Sequence, residues 1–234
     1  MVYCQPRALE IMGSTPIVPI VNQSLKYDIV NNALLATCIY LAHLNPMTSA
    51  HVEIIEEQKK ENKVVVMPVR FLKGEKEINS KSFPFNFEIR KQMIESVFGD
   101  SVTVSSNYTF LAPFKKYFPP LISPKSWSLR KQILQGIEDD YFTYTGDKAE
   151  GLMLKLYRLN PKTGTRKLVS ATSVKNEMYA IAQGGKSSWE ESVPSSVAKI
   201  INENWETVKK FASEEDMTMR IAGMKFPKEG YNSK

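Results

Sequence analysis

Short unbroken apolar runs and helically spaced apolar stripes take turns along this chain. Residues 33–41 (ALLATCIYL) predict a strand buried on both faces. Lys63–Val69 (KVVVMPV) predicts a second, rich in β-branched residues. Val102–Ser105 and Asp140–Thr145 predict a third and a fourth, and Arg166–Val169 a short fifth after a turn at Pro161–Thr165. Helices are predicted over Ser49–Lys60, Phe87–Phe98, Ser128–Ile137, Lys148–Leu159, Ser173–Ala182 and Ser195–Phe211. Gly99 reads as a helix stop, and Ser126 or Ser128 as a helix cap.

The remaining segments lack a period. Residues 1–32 read as an N-terminal extension with one edge strand at Ile17–Val21. Arg70–Ser82 is charged, contains Gly74 and reads as a loop; residues 106–126, with four prolines and several aromatics, read as a long irregular one. That aromatic loop is expected beside a ligand pocket or an oligomer interface. The main domain then covers 33–211, leaving a tail, 212–234, whose weakly patterned stretch Met219–Lys234 is expected to fray. Strands alternating with helices predict an α/β fold with a mostly parallel sheet. In such sheets ligands sit beyond the carboxyl ends of the strands, where strand order reverses. The first strand would deliver residues 42–51 to that place.

Composition narrows the chemistry. The chain has 234 residues, 42% of them apolar and 24% charged, which is globular composition. No apolar run reaches the ~18–20 residues of a membrane span, and the N-terminal sequence lacks the pattern of a secretory signal. Two distant cysteines, Cys4 and Cys38, make neither a disulfide scaffold nor a zinc site, and point to a reducing cytoplasm. The charge of +6 is spread rather than clustered, so nucleic acid is not an expected partner. The two histidines, His43 and His51, lie eight positions apart, both in the segment that leaves the first strand.

That segment, Ala42-His43-Leu44-Asn45-Pro46-Met47-Thr48-Ser49-Ala50-His51, ends on the first turn of a helix, where free N–H groups and the helix dipole favour phosphate. Thr48 and His51 share one helical face. Taken alone, Asn45-Pro46 is also an ordinary turn and Thr48 an ordinary cap, so spacing leaves both readings open. A second helix start, Val169-Ser170-Ala171-Thr172-Ser173-Val174-Lys175, offers two hydroxyls and a cation to a polyanion, or a plain cap.

Together these segments resemble the nucleotidylyltransferase superfamily. Leu44–His51 is similar to its F-N-P-x-T/H-x-x-H signature, nearest in form to nicotinamide mononucleotide adenylyltransferases, and Val169–Lys175 to its I-S-S/G-T-x-I-R motif. Trp189-Glu190-Glu191-Ser192-Val193-Pro194-Ser195-Ser196-Val197 resembles the W-x-x-x-V-P-x-x-V stretch of archaeal-type members. Pro84–Arg90, continuing to Met93-Ile94, is similar to P-F-T-x-x-E-R-x-x-M-I, and Tyr144-Thr145-Gly146-Asp147 to a strand-end G-x-D segment. Ala42, Leu44, Thr48, Ala50, Ile89 and Lys175 stand where the family usually has Gly, an aromatic, His, Gly, Glu and Arg; His43 has no counterpart.

The resemblance implies a Rossmann-like three-layer sandwich with helices on both faces. It implies transfer of a nucleoside monophosphate, expected from ATP with Mg²⁺, to a phosphorylated acceptor, nicotinamide or nicotinate mononucleotide, with release of pyrophosphate. His51, Thr48 and Lys175 would be catalytic. Ala42, Leu44, Asn45, Gly146, Asp147, Ser170 and Thr172 would bind nucleotide, and Arg90 the acceptor. No protein-held metal site and no membrane partner are expected, and a homo-oligomer is. Cytidylyl transfer, another acceptor, and a non-catalytic nucleotide-binding protein remain as alternatives.

Overall fold

The computed structural model describes residues 36–232 except Asp139, Asp147, Arg166, Leu168 and Ala222. The expected edge strand at Ile17–Val21 and the start of the 33–41 run therefore lie outside the described residues.

Five strands form the central sheet: β1 (Thr37–Ala42), β2 (Lys63–Pro68), β5 (Thr103–Val104), β7 (Tyr141–Thr145) and β8 (Pro161–Thr163). Their spatial order is β5-β2-β1-β7-β8, and every neighbouring pair is parallel. The chain moves outward from β1 to β2 and β5, then returns to the other side of β1 as β7 and β8. Strand order therefore reverses between β1 and β7.

Side chains alternate along each strand and feed two cores. Cys38, Tyr40, Val64, Val66 and Phe142 point into one face. There they meet α1 (Ser49–Lys59), α2 (Phe87–Phe98), α5 (Ala171–Ala182), α6 (Ser195–Glu203) and α7 (Trp205–Ala212) through residues such as Ile55, Met93, Met178, Ile201 and Val208. Ile39, Leu41 and Met67 point to the other face, against α3 (Pro124–Ile133) and α4 (Lys148–Leu156). The Rossmann-like α/β architecture, with helices on both faces, is as expected.

Several local expectations give way to tertiary pairing. The charged segment after β2 is not a loop: β3 (Arg70–Lys73) and β4 (Lys76–Glu77) join β6 (Thr109–Leu111) in a second sheet ordered β4-β3-β6. The proline-rich stretch folds inward there. Phe110, Phe114 and Tyr117 are buried around Phe71, while Leu121 and Ile122 stay exposed. None of residues 106–126 lines the main cleft. The third helix starts earlier than expected, with Pro124 at its first turn and Ser123 as cap. Pro161–Thr163 is strand rather than turn, an edge position where proline costs no ladder bond. The last predicted helix is two, broken at Asn204, whose side chain donates to the Ile200 carbonyl. The tail does not fray: β9 (Thr218–Ile221) and β10 (Met224–Pro227) form a hairpin whose Met224 and Phe226 are buried in the aromatic cluster.

Candidate active site

A cleft of about 250 Å³ opens at the carboxyl ends of β1 and β7, the point of strand reversal. Of the residues singled out in the sequence, Ala42, Leu44, His51, Gly146, Ser170, Thr172 and Lys175 line it, as does His43. Two stretches 120 residues apart are thus brought to one place, each at the start of a helix.

The first start is built by Thr48 and His51. Thr48 caps α1 and His51 occupies the third helical position, reaching back to the cap. The Thr48 backbone N–H donates to His51 Nδ1 at 3.0 Å, and Thr48 Oγ1 lies 2.9 Å from the same nitrogen. A backbone amide only donates, so Nδ1 is unprotonated and the neutral ring carries its proton on Nε2. Burial, and then the charge of Lys175, push the His51 pKa down to about 4. His51 thus presents a neutral N–H donor to the cleft. Thr48 is fully buried and does not line the cleft; it sets the tautomer and orientation of His51.

The second start is α5, capped by Ser170, whose hydroxyl accepts from Ser173 N–H at 3.1 Å. Lys175 lies one turn in. Its ammonium donates to the Asn45 carbonyl at 2.7 Å and the Ala171 carbonyl at 3.1 Å, joining the turn before α1 to the start of α5. Only 7% of the residue is exposed. Burial, reinforced by Lys225, pushes its pKa down to about 7. Ion-dipole bonds hold this ammonium, and one N–H remains for the cleft.

Two predicted contacts are turned elsewhere. The Asn45 side chain donates to the Phe85 carbonyl at 2.7 Å and accepts from Phe85 N–H at 3.1 Å, clamping the segment before α2 onto the β1 turn. Arg90 is 2% exposed and spends all three guanidinium nitrogens inside the protein, on the carbonyls of Asn86, His43 and Val69 and on Glu77 at 2.8 Å. It holds the end of β1 from behind rather than lining the cleft. Asp147 lies outside the described residues. The Trp189–Val197 stretch lies outside the cleft and anchors to the core by three residues: Trp189 stacks on Trp205 at 5.9 Å, and Val193 and Val197 are buried.

The cleft also holds residues that no motif announced. Lys167 precedes α5 and pairs with Glu53 and Glu57 of α1 at 3.2 and 3.5 Å. Glu150 accepts from Thr145 Oγ1 at 2.6 Å. Ser82, Phe83 and Lys225 close the opposite end. Lys167 could have been suspected from its place just ahead of the second motif; Lys225 and Ser82 carry no local signal. Among the described residues no group of three or more His, Cys, Asp or Glu is placed to hold a metal, and no helix is long and apolar enough to cross a membrane.

No family model and no curated protein sequence matches the chain. Solved structures do. Two structures of a bifunctional NMN adenylyltransferase/ADP ribose pyrophosphatase from Francisella tularensis are similar. One, complexed with AMP and Mn ion, aligns over 77% of this chain and 52% of that chain at 16% identity, TM-score 0.52. The other aligns over 75% and 53% at 16% identity, TM-score 0.54. The chain spans about half the length of that protein. The nicotinic acid mononucleotide adenylyltransferase of Plasmodium falciparum, complexed with NaAD, covers 74% of this chain and 98% of that one at 14% identity, TM-score 0.41. At 16% identity and TM-scores just above 0.5, the likeness to the Francisella structures establishes a shared fold.

Proposed function

We propose that the chain transfers the adenylyl group of ATP to the phosphate of nicotinamide or nicotinate mononucleotide, releasing pyrophosphate, a step of NAD biosynthesis. The observation that carries this reading is the convergence of two helix N-termini, the His51 N–H and the buried Lys175 ammonium on one cleft. The adenylyltransferase fold of the Francisella structures supports the class of reaction.

An acceptor phosphate oxygen attacks the α-phosphorus, and the bond from that phosphorus to the β-phosphate bridging oxygen breaks. The attacking oxygen is already anionic, so no base is required. His51 suits that economy, because its acceptor nitrogen is occupied by the Thr48 N–H and only its donor faces the cleft. Donors that strengthen as charge gathers on the departing pyrophosphate lower the barrier. Lys175 adds a positive charge, and the N-terminal amides of α5 add dipoles. Mg²⁺ would enter with the triphosphate, since the cleft offers Glu150 but no cage of ligands among the described residues. When bound, the ion would supply positive charge against the phosphates, with Glu150 the carboxylate nearest to hand in the cleft.

The test is pyrophosphate release across ATP, CTP, GTP and UTP, each with nicotinamide and nicotinate mononucleotide. Release with ATP and either mononucleotide supports the reading. Release with CTP alone replaces it with cytidylyl transfer. A melting temperature raised by ATP with Mg²⁺ without any release identifies a non-catalytic nucleotide-binding protein. No shift and no release ends the nucleotide reading.

A further inference from the structure

We propose that the C-terminal hairpin completes the active site: Lys225 on β10, held in place by Ser82, joins His43 in a seat for the acceptor's phosphate monoester, beside the triphosphate seat at the helix starts. This rests on the adenylyl-transfer reading and adds to it a residue from outside every motif.

All three side chains line the same end of the cleft. The Lys225 ammonium donates to Ser82 Oγ at 2.8 Å, and Ser82 donates onward to Asp216 at 2.7 Å. Asp216 stands 3.7 Å from the ammonium, close enough to orient it and too far to take up a bonded N–H. Two of the three ammonium donors thus remain for a ligand. His43 stacks on Phe83 with ring centres 4.6 Å apart and planes 14° from parallel, which fixes its ring. Neither of its nitrogens bonds to a described residue, and Nδ1 is buried. An orphaned buried nitrogen costs stability unless a ligand satisfies it. Burial above all keeps the ring neutral, and the charges of Arg90, Lys175, Lys225 and Arg220 add to it. None of the charges that act on the ring is a carboxylate, and a neutral ring among cations suits a phosphate dianion.

The hairpin is fixed well enough to hold such a seat. Met224 and Phe226, which flank Lys225, are buried in the aromatic cluster. The Lys81 ammonium holds the chain ahead of the hairpin through the carbonyls of Ala212 and Glu214 at 2.9 and 3.0 Å. Lys225 itself is partly exposed, so replacing it leaves the hairpin core intact.

The test compares wild type with Lys225→Met and Lys225→Arg. Calorimetry reads nicotinamide mononucleotide binding, and steady-state kinetics read KM for the mononucleotide and for ATP. Loss of a charge-assisted bond to phosphate predicts about 10- to 100-fold weaker mononucleotide binding in Lys225→Met, with ATP changed less than about twofold and Lys225→Arg recovering most of the loss. An unchanged mononucleotide affinity, or equal losses for ATP and mononucleotide, overturns the proposal. Wild type that binds no mononucleotide overturns it as well. An active enzyme with unaltered constants in Lys225→Met sinks this inference alone. A chain that binds mononucleotide through Lys225 yet releases no pyrophosphate sinks the catalytic reading and leaves the seat standing.

Discussion

If the proposed function holds, Lys175 is expected to couple nucleotide binding to pH. Its ammonium is buried against carbonyls, with its pKa pushed down to about 7 from an ordinary 10.5. A triphosphate beside it favours the charged form, so binding takes up a proton whenever the free protein has lost it. Between the free and the bound pKa, affinity falls tenfold per pH unit, or ~1.36 kcal/mol. From about pH 7 to about pH 9 the loss approaches 100-fold, ~2.7 kcal/mol. Stability of the free protein runs the opposite way. A depressed folded pKa means the unfolded chain binds more protons above about pH 7, so stability rises from there toward pH 10.5. Calorimetric titration of ATP with Mg²⁺ at about pH 8, in buffers of different ionisation enthalpy, counts the proton directly, and close to one per nucleotide is expected. Lys175→Arg keeps its charge throughout and flattens the slope; Lys175→Met flattens it and weakens binding at every pH. Pairing of opposite slopes, affinity falling while stability climbs, separates this lysine from groups on the nucleotide. Affinity that is level from about pH 7 to pH 9 with no proton uptake refutes the argument.

Three further outcomes follow from the same geometry. On the proposed mechanism His51→Ala removes a donor to the leaving group and is expected to cost ~10²–10³ in kcat, whereas His51→Gln keeps the reach-back to Thr48 and should match wild type in thermal melting while remaining slow; turnover unaffected in both variants would remove His51 from the mechanism. Arg90→Met takes away the buried partner of Glu77 and the guanidinium bonds to the His43 and Val69 carbonyls, so a loss of about 3–5 kcal/mol in denaturant unfolding is expected, with little change in acceptor KM once folded; a stable variant with a large KM defect would return Arg90 to the acceptor. The pKa values of His43 and His51 are held at about 3 and about 4, below the ordinary 6.5, so the unfolded chain binds more protons as pH falls and stability drops below about pH 6.5, with a slope approaching ~2.7 kcal/mol per pH unit. His51→Gln should halve that slope, and urea midpoints that stay level from about pH 7 to pH 5 would contradict it.

The parts of this protein legible in its sequence are those whose physics is local. The apolar runs at Thr37–Ala42 and Lys63–Pro68 are buried on both faces wherever they pair, so they read as central strands from composition alone. Phe87–Phe98 carries its own stripe and its Gly99 stop, and its bounds were readable to the residue. The two helix starts at Thr48–His51 and Ser170–Lys175 carry their hydroxyl, imidazole and ammonium groups within a few consecutive residues, so the resemblance could find them. Tertiary structure decided what local pattern cannot encode. Strands of four, two and three residues (β3, β4, β6) are too short to show a period and exist only because they pair with each other. Asn45 and Arg90 sit inside family-like motifs, yet their bonds run to backbone groups up to 47 residues away, and burial assigns them to the scaffold. Lys225 is the converse. Nothing near it in the chain suggests a ligand, and it reaches the cleft because Met224 and Phe226 gain more by joining the aromatic cluster than the tail retains by staying in solvent. Hydrophobic burial is non-directional and acts between residues far apart in sequence, so it carries a terminal lysine to Ser82 and His43 without leaving a local pattern to read.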